Sequence, residues 1–305
     1  WYEISFDSIS FEATSRENIK YAPINKGGGF RKWYGNNVYI IKWIEDGQEL
    51  KNYCDKNGNK LSYPRNLDFQ LKESLTWGDI SSGDFSLRYS PKGYFFSDVG
   101  NSLFVYDDDK KWYILAFGNT KLFNQMTKLL NQTMHFKPGN MLKMPLIYDE
   151  KHKKEIDDIA RDNIRLAKLD WDAFETSWDF AYHPLLRKVS DMENAFEQWK
   201  VECEERFNQV KINEEELNRI FIDIYGVKNE LTSEIGEKNN SVRKADLSRD
   251  IRSFISYAIG CIFGRYSLDE EGLIYAGGEW NSSKYETFLP DNDNCIPITD
   301  EEYFS

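Results

Sequence analysis

Apolar positions change rhythm once along this chain. Before about residue 150 they come in short dense runs broken by turn residues; after it they recur every three or four positions over long stretches. The densest early run is Val38-Tyr39-Ile40-Ile41-Lys42-Trp43-Ile44, bounded by Asn36-Asn37 and Asp46-Gly47. β-Branched and aromatic residues between such breakers predict a buried strand. A short helix from about Gln48 and a turn at Asn57-Gly58 follow. Trp77-Gly78-Asp79, Ser81-Ser82-Gly83-Asp84 and Ser90-Pro91-Lys92-Gly93 are turn clusters between short aromatic runs. Residues 102–106 and 112–117 predict two more strands, joined through Asp107 to Lys111. Asn119 is placed to cap a helix reaching about Asn131, with Leu122, Met126 and Leu129-Leu130 on one side. Pro138-Gly139-Asn140 breaks the chain, and residues 141–147 predict a last extended piece.

The later periodicity is helical. Ile156, Ala160, Ile164, Ala167 and Trp171 make one stripe; Met192, Phe196, Trp199, Cys203, Phe207 and Val210 make another. Leu217, Ile220, Phe221 and Ile224 continue the pattern, with Asn213 and Glu216 placed like a capping pair. Ile251, Phe254, Ile255, Ala258 and Ile262 mark a further helix. These stripes are core positions, and the acidic residues between them form a solvated face. Residues 233–243 lack periodicity and read as a mobile loop. The expected class is α+β, with a mixed αβ domain over residues 1–150 and a mainly α-helical region over 151–305.

Charge sharpens that division. The chain has 305 residues, 40% hydrophobic and 15% aromatic, enough to bury a sizeable core. Its net charge is -12. Residues 1–150 hold 19 Lys+Arg against 18 Asp+Glu, and residues 151–305 hold 20 against 33. A near-neutral half can therefore meet a polyanion even though the whole chain is acidic. Cys54, Cys203, Cys261 and Cys295 form no metal-binding spacing, and reduced thiols in a cytoplasmic protein are expected. No apolar run approaches the ~18 residues of a membrane span, and there is no secretory signal pattern. The chain begins at Trp1 without Met, as a fragment of a longer protein would.

The stretch Lys26-Gly27-Gly28-Gly29-Phe30-Arg31-Lys32-Trp33-Tyr34 carries the most suggestive chemistry. Glycines let a backbone approach another surface, Arg forks onto guanine or phosphate, and aromatics stack on bases. An ordinary turn leading into a strand with core aromatics fits the same residues. Enzyme signatures are absent: there is no GxxxxGK[ST], GxGxxG, GxSxG or HExxH. His135, His152 and His183 have no assignable partner, and His183 reads as structural. Asp108-Asp109-Lys110-Lys111 and Asp149-Glu150-Lys151 contain an acid-x-Lys spacing too loose to support a metal nuclease. Asp291 and Asp293 lack the glycine and distal Glu of a calcium loop. No catalytic and no metal-binding residue is assigned.

GGGFRKWYGNN, LSYPRNLDFQLKESLTWGDISSGDFSLRYSPKGYFFSDVGNSLF and YILAFGNTKLFNQMTKLLN resemble the C-terminal half of bacterial adenine-specific DNA methyltransferases. The likeness is to PglX-like methyltransferases of phage-exclusion (BREX) systems and their fused restriction–modification relatives. DWDAFETSWDF, LNRIFIDIYGVKNELTSE, SYAIGCIFGRYSLDEEGL and PDNDNCIPITDEEYF are similar to the helical C-terminal region of the same family. The resemblance implies that an upstream domain binds S-adenosylmethionine and carries an NPPY-type motif. This chain has no Pro-Pro pair and no FxGxG-like loop, so it needs no cofactor of its own. Residues 1–150 are then expected to be a DNA target recognition domain. Residues 112–147, as strand, Asn-capped helix and strand, are similar to the closing part of TaqI-like specificity domains.

The implied partners are double-stranded DNA, the upstream methyltransferase domain and other defence-system proteins, with no membrane. Candidate DNA contacts are Lys26, Arg31, Lys32, Asn36, Asn37, Arg65, Asn66, Arg88 and Lys92, with Trp33 and Tyr34 as stacking candidates. A shared concave surface bearing Lys26, Arg31, Arg65 and Arg88 is the structural expectation. Protein docking through the acidic helical half is the alternative function.

Overall fold

The computed structural model describes Ile4 and residues 20–79, 83–130 and 133–291. They form two compact units that interleave along the chain: residues 1–171 with 203–244, and residues 172–202 with 245–305. The sequence places one boundary near residue 150, whereas packing assigns more of the helical sequence to the sheet-bearing unit. That unit holds 32 Lys+Arg against 32 Asp+Glu, and the other holds 7 against 19. The acidity is thus confined to the second unit.

In the first unit, β1 (Tyr21–Asn25) pairs antiparallel with β2 (Tyr39–Lys42) and parallel with β5 (Phe95–Phe96), so β2 is an edge strand. The register Ala22 to Ile41 and Ile24 to Tyr39 sets these four residues on one face. A second antiparallel sheet has β3 (Ser74–Gly78) between β4 (Arg88–Ser90) and β6 (Gly100–Leu103). Leu75, Trp77, Phe85 and Leu87 join the main core here. Trp77 Nε1 donates to Phe136 O at 2.7 Å. Between β2 and β3, Ile44–Lys51 forms α1, whose Glu45, Asp46 and Gly47 take left-handed φ before the last turn. Asp55 then closes the Asn57-Gly58 turn by accepting from the Asn57 and Asn59 amides.

Residues 112–117 are helical, not a strand: α2 runs from Lys111 to Gly118 with six of its eight residues buried. An apolar run that is buried all round shows neither period, so pattern cannot separate the two states. The helix after it is present as α3 (Lys121–Leu130). Its first turn is capped by Thr120, whose Oγ1 accepts from Phe123 N at 3.1 Å. Asn119 instead clasps the residue before β4: its Oδ1 accepts from Leu87 N and its Nδ2 donates to Leu87 O, both at 2.9 Å. Pro138–Met141 makes a helical turn, α4, and no strand follows in residues 141–147. The strand, helix, strand order expected for residues 112–147 is therefore replaced by three helical pieces.

Helix α5 (Glu150–Asp172) follows the expected stripe. Helix α6 runs unbroken from Met192 to Tyr225, through the expected cap at Asn213. Asn213 Nδ2 donates to Asp162 Oδ2 and Asn163 Oδ1, each at 2.9 Å, while Glu216 pairs with Arg219. A polar seam between helices produces the same local signal as a helix start. Residues 233–243 are pinned: Asn240 Nδ2 donates to Phe207 O at 2.9 Å, and Ile235 N donates to Glu215 Oε1 at 2.9 Å.

The second unit packs Phe180, Tyr257, Cys261 and Tyr266 around α7 (Leu247–Ile262), capped by Asp246 accepting from Arg249 N. His183 is buried here beside Phe254, with Nδ1 accepting from Leu185 N at 3.2 Å and Nε2 unpartnered. That setting is structural, as the sequence suggests. Cys203 and Cys261 are buried, Cys54 is exposed, and none of the three forms a disulfide. Cys295 and Asp293 lie outside the described residues. No helix among the described residues is long and apolar enough to cross a membrane.

Candidate nucleic-acid interface

The glycine stretch does two things. Gly27 and Gly28 take φ of 81° and 126°, conformations open to glycine, and a Cβ on Gly27 would meet Val99 O at 2.9 Å. Asn36, at φ 62°, closes the bend by donating from Nδ2 to Gly29 O at 2.9 Å. Lys26, Gly28, Gly29 and Phe30 remain exposed at the bend. The chain then turns inward, and residues 31–35 are buried.

Arg31 is 7% exposed. Its Nη2 meets Asp170 Oδ2 at 2.6 Å and Ala167 O at 3.3 Å, its Nε donates to Tyr34 O at 2.8 Å, and it stacks 4.8 Å from the Trp171 ring. Gly35 is required there, since a Cβ would lie 2.3 Å from Arg31 Nε. Lys32 Nζ meets Glu214 Oε2 at 2.7 Å, and Trp33 Nε1 donates to Glu214 Oε1 at 2.7 Å. Arg243 also pairs with Asp170. Burial pushes the Asp170 carboxyl up, but the Arg243 and Arg31 guanidinium groups outweigh it and hold the group below the usual carboxylate range. Arg88 is buried, with Nη1 donating to Arg31 O at 3.3 Å. Burial, with the nearby Arg31 charge, pushes its pKa down to about 10.

Arg31, Lys32, Trp33, Tyr34, Asn37 and Arg88 are therefore corrected: all six are buried, and Arg31 bonds to α5 while Lys32 and Trp33 bond to α6. The expected concave surface keeps Lys26 and Arg65 and loses Arg31 and Arg88. Lys26, Arg65, Asn66 and Lys92 are exposed. The buried partners lie 139 and 182 positions away in sequence, beyond any local pattern.

The structure adds residues that the sequence did not single out. Tyr39 is 46% exposed on the edge strand, with Lys26 Nζ 5.5 Å from its ring centre. Val38 and Ile40 are also exposed, so the run read as a buried strand is a solvent-facing edge. Gly78 backs onto Gly27 and Gly28. The next residue, buried Asp79, accepts from His135 Nδ1 and Lys137 Nζ, each at 2.8 Å. Burial raises the Asp79 carboxyl, and Lys137 and His135 reverse this and hold it low. Two exposed cationic or titratable side chains are thereby anchored beside the glycine bend.

This surface adjoins a cavity of about 880 Å³. Ile24 and Ile41 line it from the Tyr39 face of the sheet, Pro138 from beside Lys137, and Arg65 and Asn66 from its rim. Arg65 and Asn66 thus line the cavity, while Tyr39 pairs with lining Ile24 and Lys137 precedes lining Pro138. Cations for phosphates and rings for stacking are what such a surface offers chemically. Among the described residues, no group of three or more His, Cys, Asp or Glu is placed to hold a metal ion.

No protein-family profile matches the chain. All of it aligns, at 45% identity over 314 positions, with 26% of the adenine-specific methyltransferase PglX of Lacticaseibacillus casei (strain Zhang). It also aligns, at 35% identity over 329 positions, with 26% of the adenine-specific methyltransferase BrxX of Escherichia coli O9:H4 (strain HS). The chain is PglX-like from end to end. It spans about a quarter of the length of these relatives. The PglX likeness spans the sequence of both compact units.

Proposed function

We propose that this chain is the DNA-recognition portion of an adenine-specific DNA methyltransferase acting in phage defence. S-adenosylmethionine binding and methyl transfer are assigned to polypeptide outside residues 1–305. The observation that carries the reading is exposed Lys26 against the Tyr39 ring, with exposed Arg65 and Asn66 on the lining of an aromatic cavity, in a unit whose charges balance. Methylation inside a duplex requires the target base to leave the stack while other contacts hold register. Here Lys26, Lys137 and Arg65 are assigned to phosphates, and Asn66, Phe30 and Tyr39 to bases. Lys92 is a further phosphate contact, on the turn after β4.

DNA binding by the full-length protein tests this across a salt series. Affinity should fall steeply with salt, and each of Lys26→Ala and Lys137→Ala should flatten log K against log salt by about 0.9. A slope near zero in the wild type, or variants with unaltered slopes, would overturn the reading.

A second reading concerns the other unit alone. Its surplus of 12 negative charges disfavours DNA there and favours docking of a basic protein of a defence assembly. Binding that survives deletion of the DNA contacts, and weakens when these acids are neutralised, is its expected signature.

A further inference from the structure

We propose that the cavity of the sheet-bearing unit takes one nucleotide whose base is unpaired. The proposal rests on the recognition reading only for the source of that nucleotide. The volume, about 880 Å³, lies within the roughly 300–1,000 Å³ of small-molecule sites. One wall is a ring cluster, with Phe104 at 5.0 Å from Phe69 and 5.4 Å from Phe96, centre to centre. Gln70 fixes this wall to the rim. Its Oε1 accepts from Phe96 N at 2.9 Å, and its Nε2 donates to Phe96 O at 3.3 Å and Arg65 O at 3.4 Å.

Polar groups point to the ligand's class. Asn101 borders the cavity, is 5% exposed, and its Nδ2 has no hydrogen-bond partner. Its backbone is held, since its carbonyl accepts from Thr76 Oγ1 at 2.9 Å. Neighbouring Ser102 also lines the cavity with an unpartnered Oγ. Buried donors without partners are uncommon in folded proteins. A purely apolar ligand would leave the Ser102 hydroxyl unpaired. A planar base offers a ring face to the Phe104 cluster, and a carbonyl or ring-nitrogen acceptor to Ser102, two residues before Phe104. Exposed Arg65 on the rim suits the phosphate, and Asp98 on the same lining can accept from an exocyclic amine.

The test uses the full-length protein and three probes: a fully paired duplex, the same duplex with one bulged 2-aminopurine, and free deoxyribonucleoside 5′-monophosphates. The bulged duplex should bind roughly tenfold tighter than the paired one, in the range expected for one stacked base. Phe104→Ala and Ser102→Ala should each reduce that preference and leave paired-duplex affinity unchanged. Ser102→Ala removes no hydrogen bond formed by the folded chain, so it remains informative if Phe104→Ala unfolds. Free nucleotides that bind through the same residues, with no duplex bound, support the cavity assignment and sink the recognition reading. Equal affinity for both duplexes together with no nucleotide binding overturns the proposal. So does a cavity that binds only an extended peptide.

Discussion

Replacing Arg31 by alanine should unfold the protein more easily without removing a DNA contact. The side chain is almost wholly buried and makes three polar contacts, one of them to Asp170 at 2.6 Å. Breaking a buried ion pair by removing one partner costs about 3–5 kcal/mol. Arg243 still reaches Asp170 at 3.1 Å, so the lower end, about 3 kcal/mol, is expected. That is a large share of the roughly 5–15 kcal/mol that holds a domain together. Urea unfolding followed by intrinsic fluorescence reads it as a lower midpoint at unchanged slope. The folded variant should keep wild-type DNA affinity. Acid adds a second signature. The Asp170 pKa is depressed in the folded state, so the pair's contribution is full above the ordinary Asp value of about 3.9 and fades as pH falls through the lower folded value. The difference between wild type and variant should therefore shrink in strong acid. An unchanged midpoint combined with lost DNA binding would return Arg31 to the surface role that its sequence suggests.

His183 and Asn119 give two further tests. Burial pushes the His183 pKa down to about 4, below its ordinary value of 6.5, so the second unit should lose stability as pH falls from about 6.5 towards 4. His183→Gln should remove most of that slope, about 3 kcal/mol, and an identical pH profile would contradict the assignment. Asn119→Ala strips both hydrogen bonds from the Leu87 backbone and should destabilise by about 1–3 kcal/mol in a thermal melt. A change within error would mean that water serves Leu87 equally well.

Periodic and punctuated stretches were legible in the sequence. The α5 stripe, the existence of the α7 helix and the Asn57-Gly58 turn all follow from spacing or residue type, although α7 buries Tyr257 and Cys261 and not the expected stripe. Residues 111–118 were not, because a short run with six of its eight residues buried displays no clear period. Asn213 mimicked a helix cap because a buried Asn bridging two helices is locally indistinguishable from one. The candidate site divided for a related reason. Lys26 and Arg65 sit at bends, where exposure is locally encoded. Whether Arg31 points outward depends on Asp170, which only the tertiary fold brings near. Tyr39 was hidden by the opposite error: its run reads as buried, but the strand order β2-β1-β5 leaves it at the edge.

Segment exchange tests the central claim most directly. Residues 1–305 would replace the corresponding portion of a PglX-like methyltransferase that modifies a different site, and methylated adenines would be mapped across the genome of cells carrying the hybrid. The modified sequence should follow the transplanted segment. An active hybrid that still modifies the recipient's original site would contradict the account.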